Sequence, residues 1–548
     1  MQAIKRIASH VAEVGLMGFI ITMLAIGICV LLATEAQAQQ PTIGINAGHD
    51  AAYSTAPISN NLNHHGKYVD GSDFGVPSWV GQYITFKVSG ASLPTGTYTY
   101  RNDTDNPIVV TAIDTSQAWT VAPNSITEAT FDRDPGGFLS SGTDAHRLGI
   151  YPPGEHNRLG PDDNTGTVTV LEAYLDKVNG FTELRLMNTQ KINGSNSVAF
   201  PSSGPFTGDF NDPRIIAAIQ QQTGKRVRIQ IPHRWSAQIK RNWLNKLSEL
   251  GVVAVISDSN EVWNTQFRQF REVGDLYGSD AQATDGPVDV EKAVLGYARR
   301  AAETTNMLAD INDPKLTYTF EWQAAGSFWL DKGLRLFRDN GGNFDWMRSA
   351  SVAPYYGFQD DGWVDDINTE ATKGINEAVK WVDRCIAVAN KYGKPLEFYE
   401  CGQHFAPFPN ARKSELRDFV YGDGIQPHEA NYVARMGALL EAQEHAPADG
   451  ATMNLYSIAH SPNADAFWGY WQSSFEETVY PRTNVVISFN DGITVPPIDP
   501  DPEPEPIDPV EPVDPCLDWN GDGILDHGDI QAFAAAYVAA VSQGRDGQ

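Results

Sequence analysis

Short apolar runs alternate with longer helical patterns from about residue 182 onward. The runs read ELRLMNTQ, RVRIQIPH, GVVAVISDSNE, LTYTFEWQ, SASVAPYY, KPLEFYE and TMNLYSIAH. Between them, segments such as VEKAVLGYARRAAETTNMLA carry apolar residues three and four positions apart, which is typical of helices that bury one face. Seven strand-then-helix units predict a parallel sheet. TIGIN at 42–46 fits an eighth strand, so we expect an α/β fold closed as a (β/α)8 TIM barrel.

A different pattern separates the first strand from the other seven. It consists of short alternating stretches, YITFKVSG, GTYTYRN, PIVVTAID and GTVTVLEAYL, divided by Gly, Pro, Asn and Asp. Alternation with period two and frequent turns predicts antiparallel strands. We therefore expect the first barrel strand and its loop over 39–79, an inserted β-sandwich-like domain over 80–175, and the remainder of the barrel over 176–492.

The N-terminal segment is compositionally separate. Lys5 and Arg6 precede an apolar run over 14–33, and AQA at 36–38 follows it as a small-x-small cleavage pattern. These features predict a signal peptide over 1–38. The run is also long enough to cross a bilayer, so an uncleaved anchor stays open as the alternative. Both interpretations predict a secreted or cell-surface protein that has no membrane contact beyond this segment.

The C-terminal end divides into a linker over 493–515 and a small tail over 516–548. Prolines alternate with acidic residues in PPIDPDPEPEPIDPVEPVDP, which predicts a semi-rigid extended spacer. The following CLDWNGDGILDHGDIQAF has the spacing of an EF-hand-like loop, with Gly523 at its sharp turn. The expected Ca²⁺ ligands are Asp518, Asn520, Asp522, Ile524, Asp526 and Asp529.

This loop departs from an EF-hand in two respects. Its last ligand, Asp529, replaces the usual Glu, and a helical pattern follows the loop instead of preceding it. Both departures resemble a dockerin-type repeat. The resemblance implies Ca²⁺ binding and a cohesin-like protein or surface scaffold as partner, although a dockerin has two repeats and this chain has one.

Composition narrows the class of ligand. The 548 residues include 40 Lys and Arg against 68 Asp and Glu, which gives a formal net charge of −28. Binding to nucleic acid requires a basic face, which a chain this acidic lacks. We therefore expect no nucleic-acid partner. The 24 Phe, 20 Tyr and 13 Trp exclude a disordered chain. A neutral or cationic ligand is the better expectation.

Cysteine usage excludes a complete disulfide framework. Signal cleavage would remove Cys29 and leave Cys385, Cys401 and Cys516, an odd number. A bridge between Cys385 and Cys401 and a pair of unpaired buried thiols are equally open.

Two glutamates occupy the ends of predicted barrel strands. Glu261 follows the fourth strand in SNEVWN, and Glu400 ends the seventh in FYECGQH. The carboxyl ends of barrel strands carry the working residues of this fold. Two carboxyls across a barrel mouth are the groups that glycoside hydrolysis requires. Glu321 on the fifth strand is a competing carboxylate. Glu397 is out of phase with Glu400, so we expect it to face the helices.

Further polar and aromatic residues fall at the same level of the predicted barrel. Rings suit the apolar faces of sugars, and amides, His and Arg suit hydroxyls. The expected substrate-binding residues are Arg185, His233, Asn260, Tyr355, Tyr356 and Trp468. Each also has a structural interpretation, as a packed or ion-paired residue. Trp471 is the substitute for Trp468, and either tyrosine could hydrogen-bond Glu400.

Two segments resemble known motifs. SNEVWN resembles the strand-four Asn-Glu motif of clan GH-A glycoside hydrolases, and FYECGQH resembles their strand-seven nucleophile segment. The chain also resembles secreted bacterial cellulase-like proteins with SNEVWN and YEGGQH-type segments, except that Cys401 replaces a Gly. The resemblance implies that Glu261 is the acid/base, Glu400 the nucleophile, and Asn260 a partner of the sugar 2-hydroxyl.

Together these features predict a secreted retaining glycoside hydrolase that acts on β-linked polysaccharide or oligosaccharide and needs no cofactor for catalysis. Two alternatives belong to other classes. One is a non-catalytic carbohydrate-binding or cell-surface structural protein on a degenerate barrel, because one fold hosts many activities. The other is an adhesin whose inserted β-domain is the working part.

Overall fold

A computed structural model describes the chain in separate ranges. They are 40–46, 83–86, 96–102, 105–112, 116–133, 138–141, 148–151, 172–187, 190, 192–200, 211–284, 286–357, 366–405, 412–457, 467–471 and 478–492. The predicted signal peptide, linker and Ca²⁺ loop lie outside these ranges and stay predictions. Within the same ranges, no helix combines the length and apolarity needed to cross a membrane.

Strands and helices follow in the order expected of a β/α protein. The described strands are β1 (Thr42–Asn46), β2 (Tyr83–Phe86), β3 (Gly96–Asn102), β4 (Ile108–Ala112), β5 (Ala118–Val121), β6 (Ser125–Phe131), β7 (Phe138–Ser141), β8 (Leu148–Tyr151), β9 (Glu183–Arg185), β10 (Arg226–Ile231), β11 (Ala254–Asp258), β12 (Leu316–Trp322), β13 (Met347–Val352), β14 (Tyr355–Tyr356), β15 (Leu396–Gln403) and β16 (Thr452–Leu455). The described helices are α1 (Glu172–Val178), α2 (Pro213–Thr223), α3 (Ala237–Glu249), α4 (Arg268–Tyr277), α5 (Val288–Ile311), α6 (Ser327–Asp339), α7 (Ile367–Lys391), α8 (Lys413–Tyr421), α9 (Gln426–Glu441) and α10 (Pro481–Asn490).

Eight parallel strands close into a barrel. Their order is β1, β9, β10, β11, β12, β13, β15 and β16, and β16 pairs back onto β1. The predicted barrel is therefore confirmed, including TIGIN as its first strand. In β10, Val227 and Ile229 pack into the apolar layer under the helices, whereas Arg228 pairs with groups on other strands inside the barrel. This alternation follows from the period of two along a strand.

The sequence around α2 illustrates why helices form between the strands. Asp212 caps the N-terminus by accepting a hydrogen bond from the Arg214 backbone N–H, and Pro213 occupies the first turn. Gly224 ends the helix at a φ of 66°, a left-handed conformation that glycine adopts without strain. Ile216 and Ile219 are fully buried against the barrel, each contributing about 1.5–3 kcal/mol by apolar burial.

Two antiparallel sheets lie between β1 and β9 in the chain, where the inserted β-domain is expected. One has the order β2-β7-β4-β5 and the other β6-β3-β8. They pack together through Trp119 of β5, whose ring centroid lies 4.8 Å from Tyr100 and 5.8 Å from Phe131.

The end of this region differs from the predicted strand GTVTVLEAYL. Its last residues belong to α1, which crosses the boundary expected at 175/176. Leu175 and Val178, three residues apart, both pack against the barrel core. A spacing of three places side chains on one face of a helix and on opposite faces of a strand, so burial of this pair favours the helix.

A cluster of buried charges fills the barrel near the N-terminal ends of its strands. We call Glu183, Arg228, Arg348, Glu397 and Asn454 the basal layer. Arg228 donates to Glu183 at 2.7 Å and to Glu397 at 2.9 Å, and Asn454 donates to Glu183 at 2.7 Å. Gly44 makes room for this layer, because a Cβ there would lie 2.3 Å from the Asn454 side-chain oxygen.

The expectation that Glu397 faces the helices is wrong. Its partner Arg228 lies on β10, directly across the barrel from β15, so their hydrogen bond runs through the interior. The pairing of β15 with β16 shifts register between Phe398 and Cys401. One extra residue in a strand changes the phase of the side chains. Glu397 and Glu400, three residues apart, therefore both point inward.

Candidate active site

Glu400 lies on β15 at the C-terminal end of the barrel, and its side chain is almost completely buried. Tyr355 donates a hydrogen bond to one carboxylate oxygen at 2.7 Å. Arg185 of β9 forms a buried ion pair with the other oxygen. Both contacts fix the orientation of the carboxylate.

Arg185 connects Glu400 to the Asn-Glu segment. Its other terminal nitrogen donates to the Asn260 side-chain oxygen at 2.6 Å and lies 3.8 Å from Glu321. The guanidinium carbon also lies 5.1 Å from the centre of the Tyr399 ring. Arg185 is fully buried, and its guanidinium group contacts the side chains of Glu400 and Asn260. Its contacts are those of a residue that organises the site.

Glu261 lies in the loop directly after β11, with a φ of 42°. One carboxyl oxygen accepts from Asn264 at 3.0 Å and the other from the Tyr399 hydroxyl at 3.4 Å. Trp263 in turn donates to the Tyr399 hydroxyl at 3.0 Å. Burial, followed by the negative charge of Glu400, raises the pKa of Glu261 from 4.5 to about 8. The surroundings of Glu261 therefore favour its protonated form more than those of an exposed glutamate do.

Two other expected substrate-binding residues lie elsewhere. The ring of His233 is buried and contacts Glu272 of α4 at 2.6 Å, and no contact in the described ranges joins it to Glu261 or Glu400. Tyr356 donates to Glu429 of α9 at 2.8 Å within the helical layer. Tyr355 and Tyr356 are consecutive in β14, so their side chains leave on opposite faces. Only Tyr355 points to the site.

Trp468 belongs to an aromatic group beside Glu400. Its ring centroid is 5.3 Å from His404 and 5.5 Å from Tyr456, and His404 is 5.0 Å from Tyr355. Trp468 is half-buried, so part of its surface is open. Trp471, the expected substitute, is buried and packs against Phe181 instead. An aromatic surface next to a carboxylate suits a sugar ring, which has an apolar face.

Cys385 and Cys401 do not form a bridge with each other. Cys385 and Cys401 are both free and buried. Cys401 points into the apolar layer under the helices, away from Glu400, and burial raises the pKa of its thiol well above the ordinary value. Gly402 next to it has a φ of 109°, which suits glycine. Cys401, which replaces a Gly of the resembling motif, therefore does not lie on the interior side of β15.

Several residues of the site were missed by sequence reasoning. Tyr399 and Asn264 contact Glu261 directly, and Asn193 and Gln269 contact Asn260. Asn264 lies in the SNEVWN segment, three residues after Glu261, and this short separation could have predicted the contact. Glu321, the competing carboxylate, is buried and lies 3.8 Å from Arg185.

Neither protein-family models nor curated protein sequences match this chain. Among solved structures, it is similar to a fungal β-1,4-galactanase, with 13% identity over 59% of this chain and 92% of that one and a TM-score of 0.37. It is also similar to the GH51 arabinofuranosidase from Xanthomonas axonopodis pv. citri, with 10% identity over 60% and 67% and a TM-score of 0.38. Xylanase10C from Cellvibrio japonicus in complex with xylopentaose gives 8% identity over 75% and 90% and a TM-score of 0.37.

Proposed function

We propose that this protein is a retaining glycoside hydrolase that cleaves β-linked polysaccharide or oligosaccharide. One observation carries the proposal. Glu261, a buried glutamate whose pKa is raised, lies at the barrel mouth with Glu400, which is ion-paired to Arg185. Acid catalysis combined with nucleophilic attack requires two neighbouring carboxyls, one to donate a proton and one to attack. Tyr355 and Trp468 supply the adjacent aromatic surface.

In the first step, a Glu400 oxygen attacks the anomeric carbon of the sugar. The bond from that carbon to the leaving oxygen breaks as Glu261 transfers its proton to the oxygen. The products are a glycosyl ester on Glu400, a released alcohol and an ionised Glu261. Asn260, held by Arg185, faces the same group of residues and is proposed to contact a sugar hydroxyl.

The second step restores both carboxyls. The ester on Glu400 carries no negative charge, so one of the two causes that raise the pKa of Glu261 is removed. The ionised Glu261 takes a proton from water, and the water oxygen attacks the anomeric carbon and displaces Glu400. Glu261 ends protonated and Glu400 ionised, as at the start.

The test combines a substrate screen with stereochemistry. The protein is incubated with β-linked glucan, xylan, mannan and galactan, and reducing ends are counted for the wild type and Glu400→Gln. Proton NMR of the first product then identifies the anomer released. Release of the β-anomer supports double displacement, and release of the α-anomer first contradicts it. A wild type that equals the variant on every polymer rejects the hydrolase, and binding without cleavage favours the carbohydrate-binding alternative.

We also propose that residues 1–38 direct secretion. We further propose that the loop from Asp518 to Asp529 binds Ca²⁺ and holds the enzyme near a scaffold or surface. The support is the residue pattern described above. Mass spectrometry of the exported protein tests cleavage after Ala38. Calorimetry with Ca²⁺, compared between the wild type and Asp518→Ala, tests the loop.

A further inference from the structure

The turn that carries Glu261 has a strained backbone. Ser259 has a φ of 67° and Glu261 a φ of 42°, and both lie in the left-handed region although neither is glycine. Such a conformation is unfavourable for a residue with a side chain and persists only where its surroundings hold it. The residues that hold this turn therefore help to determine where the Glu261 carboxyl points.

Gln269 of α4 holds the turn directly. Its side-chain nitrogen donates to the Asn260 backbone carbonyl at 2.8 Å and to the Asn193 side-chain oxygen at 2.8 Å. Its side-chain oxygen accepts from the Gly194 backbone N–H at 2.9 Å. The side chain is fully buried. The Asn260 carbonyl belongs to the peptide bond that precedes Glu261, so Gln269 fixes the plane from which Glu261 departs.

Asn193 completes the arrangement from the loop after β9. Its side-chain oxygen accepts from the Asn260 side-chain nitrogen at 2.9 Å as well as from Gln269. The opposite end of the Asn260 amide accepts from Arg185. We call Asn193, Asn260 and Gln269 the amide clamp. It forms a continuous chain of hydrogen bonds from α4 through the Glu261 turn to the Arg185–Glu400 ion pair.

We infer that Gln269 is a positioning residue for proton transfer by Glu261, an inference that rests on the proposed hydrolase function. With Gln269 in place, the strained turn aims the Glu261 carboxyl at the oxygen of the leaving group. Without it, the Asn260 carbonyl loses its buried donor and the turn relaxes. Misplacing an acid by about 1 Å is enough to slow a reaction about 10²-fold.

Substrates that differ in their need for an acid test this role. A phenolate leaving group needs a proton, whereas 2,4-dinitrophenolate leaves without one. We compare kcat/KM for the phenyl and 2,4-dinitrophenyl β-glycosides of the sugar that the polymer screen identifies. Gln269→Ala is expected to lose about 10²-fold on the phenyl glycoside, the lower range for general acid catalysis, and to stay within a few-fold of wild type on the dinitrophenyl glycoside.

Gln443 provides a matched control. It is also a buried glutamine that hydrogen-bonds a strand backbone, but at the opposite end of the barrel. Its side-chain oxygen accepts from the Leu396 N–H at 2.6 Å, and its side-chain nitrogen donates to the Leu396 carbonyl at 3.2 Å. Gln443→Ala is expected to change the two rates by the same factor. Asn193→Ala, at a half-buried site, should show the Gln269 pattern with a smaller loss.

Equal losses on both glycosides for Gln269→Ala, or no loss on either, would overturn the positioning role while the wild-type activity upholds the hydrolase. A wild type that cleaves no polymer in the screen rejects the hydrolase and this role with it. Thermal melting identifies folded variants. Should Gln269→Ala not fold, the leaving-group ratio of Asn193→Ala decides, and an unchanged ratio rejects the role.

Discussion

The interior of the barrel holds two groups of buried carboxylates that differ in how many arginines serve them. In the basal layer, Glu183 and Glu397 are contacted by Arg226, Arg228 and Arg348. At the mouth, Glu261, Glu321 and Glu400 surround one arginine, Arg185, among the residues that the structure describes. The basal layer has as many arginines as carboxylates, with Arg226 beside it as a third arginine, and the mouth has fewer arginines than carboxylates.

The number of arginines per carboxylate shifts the pKa values of the two groups in opposite directions. Burial by itself would raise the pKa of Glu397, but Arg348 and Arg228 outweigh burial and lower it to about 2. At the mouth, burial and the charge of Glu400 act together and raise the pKa of Glu261 to about 8. The basal carboxylates are ions that hold strands together. At the mouth the pKa of one carboxyl is raised, and perturbed pKa values of this kind are common at functional sites.

The largest effect is expected at Glu400. Glu400→Gln removes the nucleophile and leaves Arg185 and Tyr355 an isosteric amide, so kcat/KM should fall on the order of 10⁴-fold or more. Steady-state kinetics on the substrate from the screen measure this, and melting temperature checks the fold. Glu415→Gln, on the surface, is the control. A variant within tenfold of wild type would contradict the assignment.

Glu397 should affect stability instead of activity. Glu397→Gln removes one carboxylate from Arg228 and Arg348, which keep Glu183 and Asp449, and breaking a buried pair costs up to about 3–5 kcal/mol. Denaturant unfolding measures the free energy. The exposed pair of Glu415 with Arg412 is the control, worth less than about 1 kcal/mol. A loss of activity without a loss of stability would erase the contrast between the layers.

The two layers should also respond to pH with opposite sign. The folded-state pKa of Glu261 is raised, so its contribution to stability is present at low pH and declines as pH rises from about 4.5 to 8. Glu261→Gln cannot ionise and should be more stable than wild type above pH 8, on the order of 1 kcal/mol. The contribution of Glu397 is present above pH 4.5 and is lost as pH falls towards 2. Melting temperatures across pH check both directions.

The smallest effect concerns the pH dependence of activity. Glu261 must hold its proton, so kcat/KM should fall as pH rises through about 8. The hydrogen bond from Asn264 lowers the pKa of Glu261, so Asn264→Ala should move this alkaline limb to higher pH. Profiles of the two proteins measured in one buffer series decide the matter. A limb that moves to lower pH would contradict the assigned acid.

Local sequence patterns were sufficient to place a residue in the barrel where its position depends only on its own strand. Hydrophobic period and turn residues locate two strands, the one that precedes SNEVWN and the one that contains FYECGQH. Glu261 and Glu400 could therefore be placed at one end of the barrel from the sequence. Tyr399 could not be placed. Alternation directs it to the face opposite Glu400, and the register shift in β15 brings both inward. Such a shift arises from pairing with β16, about fifty residues away.

The sequence by itself determined the closed parallel barrel, because alternation and helical spacing are local and eight repeats of them leave few ways to bury the apolar faces. Tertiary structure alone decided which charges meet inside. Arg185 reaches Glu400 across 215 residues of chain, and Arg228 reaches Glu397 across 169. Contacts over such separations depend on the register of all the strands between them. No periodic pattern in one segment encodes that register, and the protonation of Glu261 depends on it.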